Sequence, residues 1–99
     1  MDSQKTYNIH VSEGGRETLF SLSGRIEVGN LHLFLSEADG LIRRMAPGGL
    51  RVDLSEVEYL DSAGALGLLQ LEDGAKARSI SLQFVNVTEE AKRIMGLIN

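Results

Sequence analysis

Apolar and polar residues alternate in two stretches near the start of the chain, residues 7–13 and residues 18–22. A period of two residues is typical of a strand with one buried face. Gly14 and Gly15 separate the two stretches, and a short link that contains glycine favours a β-hairpin. We therefore predict an antiparallel pair of strands at the beginning of the fold.

Apolar residues then recur at spacings of three and four, which is the pattern of an amphipathic helix. This pattern follows a glycine-flanked loop at residues 23–29 and stops at residues 46–49, Ala-Pro-Gly-Gly. Asn30 is the predicted N-cap, with its side-chain oxygen accepting from a backbone N–H of the first turn. The predicted buried stripe consists of Leu31, Phe34, Leu35, Ala38, Leu41, Ile42 and Met45.

A short buried strand is predicted at residues 50–54, and a second apolar helical face follows Asp61. Residues 81–85 alternate again as a strand, and Thr88 is the predicted N-cap of a last helix. The order is β-β-α-β-α-β-α. It predicts an α/β fold with a mixed, mostly parallel four-stranded sheet and helices packed on it.

The size and composition indicate one small globular domain that covers residues 1–99. A chain of this length buries roughly 60–65% of its unfolded surface, which favours a function at the surface over a deep active site. The net charge is −4, and no stripe of lysine and arginine with interleaved aromatic residues occurs. We therefore expect no nucleic acid partner.

The chain contains no cysteine, which excludes a disulfide framework, a thiolate zinc site and a nucleophilic thiol. The N-terminal residues lack the pattern of a signal peptide, and no apolar run approaches the roughly 20 residues that a bilayer requires. We expect a cytoplasmic protein that does not itself insert into a membrane.

Residue patterns for catalysis, metal binding and cofactor binding are weak. His10 and His32 lie far apart and without acidic neighbours, so we predict no metal site. The glycines do not form a phosphate-binding loop, which argues against nucleotide or other cofactor binding. Ser62 lacks the elbow motif of hydrolases, and no nucleophile-base pair can be assembled, so we expect no enzymatic activity.

The segment Asp61-Ser62-Ala63-Gly64-Ala65 places an acidic residue and a hydroxyl at the start of a helix, followed by small residues. Asp61 or Ser62 is expected to cap the helix, which contributes about 1 kcal/mol. Ser62 also presents its hydroxyl where an added phosphate would bring nearly two negative charges beside Asp61. Both roles are compatible.

The same region carries a family resemblance. Residues 52–55, residues 59–64 and the leucine-rich run at 66–71 resemble the signature of STAS domains, a family that includes bacterial anti-sigma factor antagonists. A weaker likeness extends to residues 22–27 and 84–88. The resemblance implies the STAS fold and a non-catalytic module for protein interaction.

In the antagonists, the serine that matches Ser62 is phosphorylated by a partner kinase, and the unphosphorylated form binds the partner. The resemblance therefore implies that Ser62 is a phosphorylation site. Carboxylates at matching positions are expected to cluster with it, because helix N-termini and strand C-termini share one edge of an α/β sheet. The predicted partner interface consists of Glu27, Asp53, Asp61, Ser62, Ala63, Gly64, Ala65 and Leu66.

Two contexts fit the resemblance. Ala63 and Ala65 resemble the residues found at these positions in STAS domains attached to permeases of Mla-type lipid ABC transporters. The abrupt C-terminal end is what a domain of a longer chain would show. In that context, which we favour, the partner is an ABC ATPase or permease at the cytoplasmic face of the inner membrane. The alternative is an anti-sigma factor antagonist that binds an anti-sigma kinase.

Overall fold

The computed structural model describes residues 5–96, and the order of elements within them is the predicted one. The fold is therefore a β-β-α-β-α-β-α arrangement. The strands are β1 (Tyr7–Gly14), β2 (Glu17–Ile26), β3 (Gly48–Leu60) and β4 (Ile80–Val85), and the helices are α1 (Leu31–Arg43), α2 (Ser62–Ala77) and α3 (Glu89–Ile94).

The four strands form one sheet in the order β1-β2-β3-β4. β1 and β2 are the predicted antiparallel hairpin, and Gly15 takes a positive φ of 63° in its turn. β2, β3 and β4 are parallel to one another, since α1 and α2 return the chain between them. The predicted mixed, mostly parallel sheet is confirmed.

The core lies between one face of this sheet and the helices α1 and α2. Along β3, Leu50, Val52 and Leu54 are buried, whereas Arg51 and Asp53 between them point to the opposite face. The helices contribute a stripe at the predicted spacing. The buried helical residues are Phe34, Ala38 and Ile42 of α1 and Gly64, Ala65, Gly67, Leu68, Leu71 and Ala75 of α2.

The prediction was wrong about the lengths of two strands. β2 continues to Ile26 and β3 continues to Leu60, and these two residues are paired. Register shifts between Ser21 and Ser23 and between Gly24 and Arg25 give β3 extra residues relative to β2. Such bulges break the alternation of apolar and polar residues, so the sequence pattern in the second half of β3 did not predict a strand.

Candidate functional site

The ends of β2 and β3 and the starts of α1 and α2 lie at one edge of the sheet, as predicted. The loop after β2 is joined directly to α2, because the backbone N–H of Val28 donates to Asp61 Oδ2 at 3.0 Å. Glu27 precedes Val28 in this loop, and Ser62 follows Asp61. The structure therefore brings Glu27, Asp61 and Ser62 into one region.

Asp61 is the residue that caps α2. Its Oδ1 accepts from the backbone N–H of Gly64 at 2.7 Å, while its backbone is extended as an N-cap requires. The bonds from Gly64 and, to a smaller degree, from Val28 lower the pKa of the Asp61 carboxyl, since they stabilise its charged form. Asp61 therefore performs the structural role, and Ser62 is left exposed.

Small residues allow α2 to lie close to the end of β2 and to the start of α1. A Cβ atom at Gly64 would overlap the Ile26 carbonyl oxygen and lie 3.0 Å from Leu60 Cδ1. A Cβ atom at Gly67 would lie 2.5 Å from Leu31 Cδ1, in α1. Gly64 and Ala65 are buried, and Ala63 is half-buried, so this segment shapes the surface mainly by permitting close packing.

Two apolar side chains are exposed around Ser62. Val28 is 72% exposed, and Leu66, one helical turn after Ser62, is 58% exposed. We call the surface formed by Glu27, Val28, Asp61, Ser62 and Leu66 the Ser62 face. Sequence reasoning missed Val28, although it is an isolated apolar residue in a glycine-flanked loop, and such a residue has no core position to fill.

Glu27 is held by a cation that sequence reasoning did not identify. The Arg25 Nε donates to Glu27 Oε2 at 2.8 Å, and this bond raises the pKa of the Arg25 guanidinium further. The guanidinium also lies 4.3 Å from the ring centroid of Tyr59, the residue paired with Arg25 across the sheet. The orientation of Glu27 is therefore set by its cross-strand surroundings.

Asp53 is not part of this region. It lies in the interior of β3 instead of at its end, on the sheet face away from the helices, and the extra length of β3 is the reason. Its Oδ1 accepts from the Ser55 backbone N–H at 2.8 Å and from Asn86 Nδ2 at 3.2 Å. These bonds, that of Ser55 foremost, lower the pKa of the Asp53 carboxyl.

The described residues include no group of three or more histidine, cysteine, aspartate or glutamate side chains that could hold a metal ion. His10 and His32 are both exposed, the former on β1 and the latter on α1. No helix within residues 5–96 has the length and apolar character needed to cross a membrane.

The elements form a small α/β fold with an exposed serine at the start of its second helix. The family described as "Mlab, STAS domain" matches residues 9–99. The chain therefore belongs to the STAS domain family, as the motif around Ser62 predicted. No curated protein matches the chain in sequence.

Solved structures share the fold at low sequence identity. An anti-sigma factor antagonist from Mycobacterium paratuberculosis superposes with a TM-score of 0.72 at 20% identity, over 97% of this chain and 82% of that one. The Bacillus cell fate determinant SpoIIAA in its phosphorylated form gives 0.69 at 12% identity, over 91% and 82%. The murine anion transporter Slc26a9 gives 0.73 at 15% identity, over 87% of this chain.

The matched structures differ in how much else they contain. This chain corresponds to 14% of the murine transporter and to 20% of another matched structure, Mglu, but to most of the two bacterial regulators. The same fold therefore occurs both in small regulatory proteins and as one part of much larger chains.

Proposed function

We propose that residues 1–99 form one STAS domain that acts as a non-catalytic regulatory docking module of an Mla-type lipid ABC transporter, placed at the cytoplasmic face of the inner membrane. It contacts the ATPase or the permease through the Ser62 face. The observation that carries the proposal is the exposure of Val28, whose backbone bonds to Asp61, and of Leu66, one helical turn after Ser62. Exposed apolar side chains with a polar rim are typical of protein interfaces.

The Ser62 face is also suited to control by phosphorylation. Ser62 is exposed, and its hydroxyl is not required for the cap that Asp61 makes. A phosphate on Ser62 adds about 1.5 to 2 negative charges next to the Asp61 carboxylate and near Glu27. It therefore changes both the charge and the desolvation cost of the surface that a partner must cover.

Two observations support the transporter context. The matching family is described by the name Mlab, and a transporter structure contains the same fold. The alternative, an anti-sigma factor antagonist switched off by phosphorylation of Ser62, is supported by the likeness to two bacterial regulators, which span little more than this domain.

Affinity capture from a lysate of the source organism, with the purified domain as bait, distinguishes the two contexts. Bound proteins are identified by mass spectrometry. Native protein is compared with Ser62→Asp, and Ser36→Asp serves as the control because Ser36 is an exposed serine on α1. Recovery of an ABC ATPase or permease supports the transporter. Recovery of an anti-sigma kinase that is lost only in Ser62→Asp supports the antagonist.

A second pair of variants tests the docking surface itself. Val28→Glu and Leu66→Glu place charges on the exposed apolar residues, and we expect each to reduce capture of the partner about tenfold or more. Because both side chains are exposed, the thermal stability should change little. Undiminished capture by both variants would show that the partner docks elsewhere.

A further inference from the structure

β3 has a neighbour on both sides only in its first half. Pairing with β4 runs from Gly48 opposite Ile80 to Asp53 opposite Val85 and then stops. Pairing with β2 continues to Leu60. In the part of the chain that the structure describes, residues 54–60 therefore have no strand beside them on the β4 side. A free strand edge of this kind can accept another chain.

Asn86 stands where the two strands separate. This residue follows β4 with a positive φ of 56°, which asparagine tolerates better than most residues. Its side chain donates to Asp53 Oδ1 at 3.2 Å, at the last paired position of β3. The chain turns there and proceeds to Thr88, whose side chain caps α3 by accepting from the Ala91 backbone N–H. β4 therefore ends at Val85, opposite Asp53.

A groove with a cavity of about 70 Å³ lies between the second half of β3 and α3. This volume is several times that needed for one water molecule, and the lining is mostly apolar. The apolar lining residues are Leu54, Val57, Leu60, Leu68, Ala91 and Ile94.

The rim of the groove is acidic. Glu58 on β3 and Glu90 on α3 both line it, both are exposed, and no lysine or arginine is among the lining residues that the structure describes. Glu89 beside it forms an ion pair with Lys92 at 3.6 Å, so Glu90 is the carboxylate of the first turn of α3 that faces the groove. Arg25 lies over the ring of the lining residue Tyr59 and interacts electrostatically with Glu58, but it does not line the groove. The lining residues therefore carry a net negative charge that is complementary to a cationic segment.

We propose that the β3–α3 groove, formed by residues 54–60 and α3, binds a short extended segment of a protein partner in which apolar and basic residues alternate. The segment pairs its backbone with the free edge of β3. It places an apolar side chain in the cavity and arginine or lysine beside Glu58 and Glu90. Strand addition of this kind supplies affinity through main-chain bonds and specificity through alternate side chains.

The probe for this proposal is a fluorescein-labelled hexapeptide of alternating arginine and valine, titrated into ¹⁵N-labelled domain. We expect saturable binding with a Kd at or below about 1 mM, and changes in the amide chemical shifts of residues 55–59 and of α3. A peptide with glutamate in place of arginine is the charge control. A second control peptide has N-methylated valines, which removes the backbone N–H donors of the valine residues. Both should bind at least tenfold more weakly.

Variants locate the site. The double substitution Glu58→Lys and Glu90→Lys should weaken binding about tenfold or more, whereas Glu13→Lys with Asp73→Lys, an equal change of charge at exposed residues outside the groove, should reduce it much less. Ser62→Asp should leave binding of the probe unchanged, which separates this groove from the Ser62 face. Absence of binding at about 1 mM, or shift changes confined to other surfaces, would overturn the proposal.

Discussion

The two long helices start at the same edge of the sheet, but the side chains of their N-cap residues make different hydrogen bonds. Asp61 bonds to the first turn of α2 with one oxygen and to the Val28 N–H with the other. Asn30 occupies the cap position of α1, where its backbone carbonyl accepts from the Phe34 N–H, but its side chain makes no bond to that helix. Its Oδ1 accepts from the Glu27 N–H at 3.0 Å, and its Nδ2 donates to Thr6 Oγ1 at 2.8 Å and to the Arg25 carbonyl at 2.6 Å.

The difference follows from the partners that each side chain meets. Asp61 is surrounded by backbone N–H groups, and a carboxylate can only accept hydrogen bonds. Asn30 is 4% exposed, and its amide both accepts from the Glu27 N–H and donates to the Arg25 carbonyl, which a carboxylate cannot do. Asn30 therefore stabilises the loop that contains Glu27 and Val28, while Asp61 bonds this loop to the start of α2.

The largest expected effect concerns the close approach of α2 to the end of β2. Gly64→Ala should destabilise the fold by about 3 kcal/mol, because the added methyl group meets the rigid Ile26 carbonyl. Gly74→Ala, in the same helix with no atom within 4 Å of the new group, should instead stabilise it by about 0.5–1 kcal/mol. Urea unfolding of both variants measures the contrast. Equal effects at the two positions would refute the packing argument.

Asn30→Asp comes next, with an expected loss of about 2 kcal/mol, because the new carboxylate oxygen faces the Arg25 carbonyl oxygen, which can only accept, in a buried site. Aspartate is as good an N-cap as asparagine, so a residue that merely capped α1 would tolerate this change. Chemical denaturation at pH 7 decides between the roles. A stability equal to that of the native protein would mean that Asn30 acts only as a cap.

The reciprocal change, Asp61→Asn, should cost about 1 kcal/mol at pH 7, because an amide supplies one acceptor where two are used. The pKa of Asp61 in the folded state lies below its ordinary value of 3.8. The charged form therefore stabilises the fold above that ordinary value, and this contribution is lost as the pH falls through the folded-state pKa.

Denaturation curves of native protein and Asp61→Asn should accordingly converge as the pH is lowered from about 4. The comparison is best made between pH 2 and pH 7 in one buffer series. A difference in stability that stays constant over this range would show that the charge of Asp61 does not contribute.

Ser62→Ala should have the smallest effect, within about 0.5 kcal/mol, because Ser62 is exposed and Asp61 makes the cap. Thermal unfolding followed by circular dichroism is sufficient to measure it. A loss above about 1 kcal/mol would indicate that the hydroxyl stabilises the fold, and a regulatory role would then be harder to separate from a structural one.

The helices and the hairpin could be predicted because their signals are local. The stripe through Phe34, Ala38 and Ile42 and the alternation in β1 each depend on residues only a few positions apart. The second half of β3 could not be predicted, because its residues are strand only through pairing with β2 in a shifted register. Asp53 was misplaced at the strand end for the same reason.

For the candidate site, the motif around Ser62 identified Asp61 as a capping candidate and implied that Glu27 lies nearby. It did not reveal Val28, Tyr59 or Arg25, whose relevance arises from contacts across the sheet and across the loop. A residue's exposure and its contacts with residues far away in the sequence depend on how the helices and strands pack. The spacing of residues along the chain does not predict this packing.

The sequence by itself determined the order of elements, the family and the position of the exposed serine, since these follow from periodicity and from a contiguous motif. Tertiary structure alone decided which N-cap serves its own helix, where β4 leaves β3, and which carboxylates share a surface. Those outcomes depend on hydrogen bonds between residues such as Val28 and Asp61 or Asp53 and Asn86, which come together only when the sheet and helices have assembled.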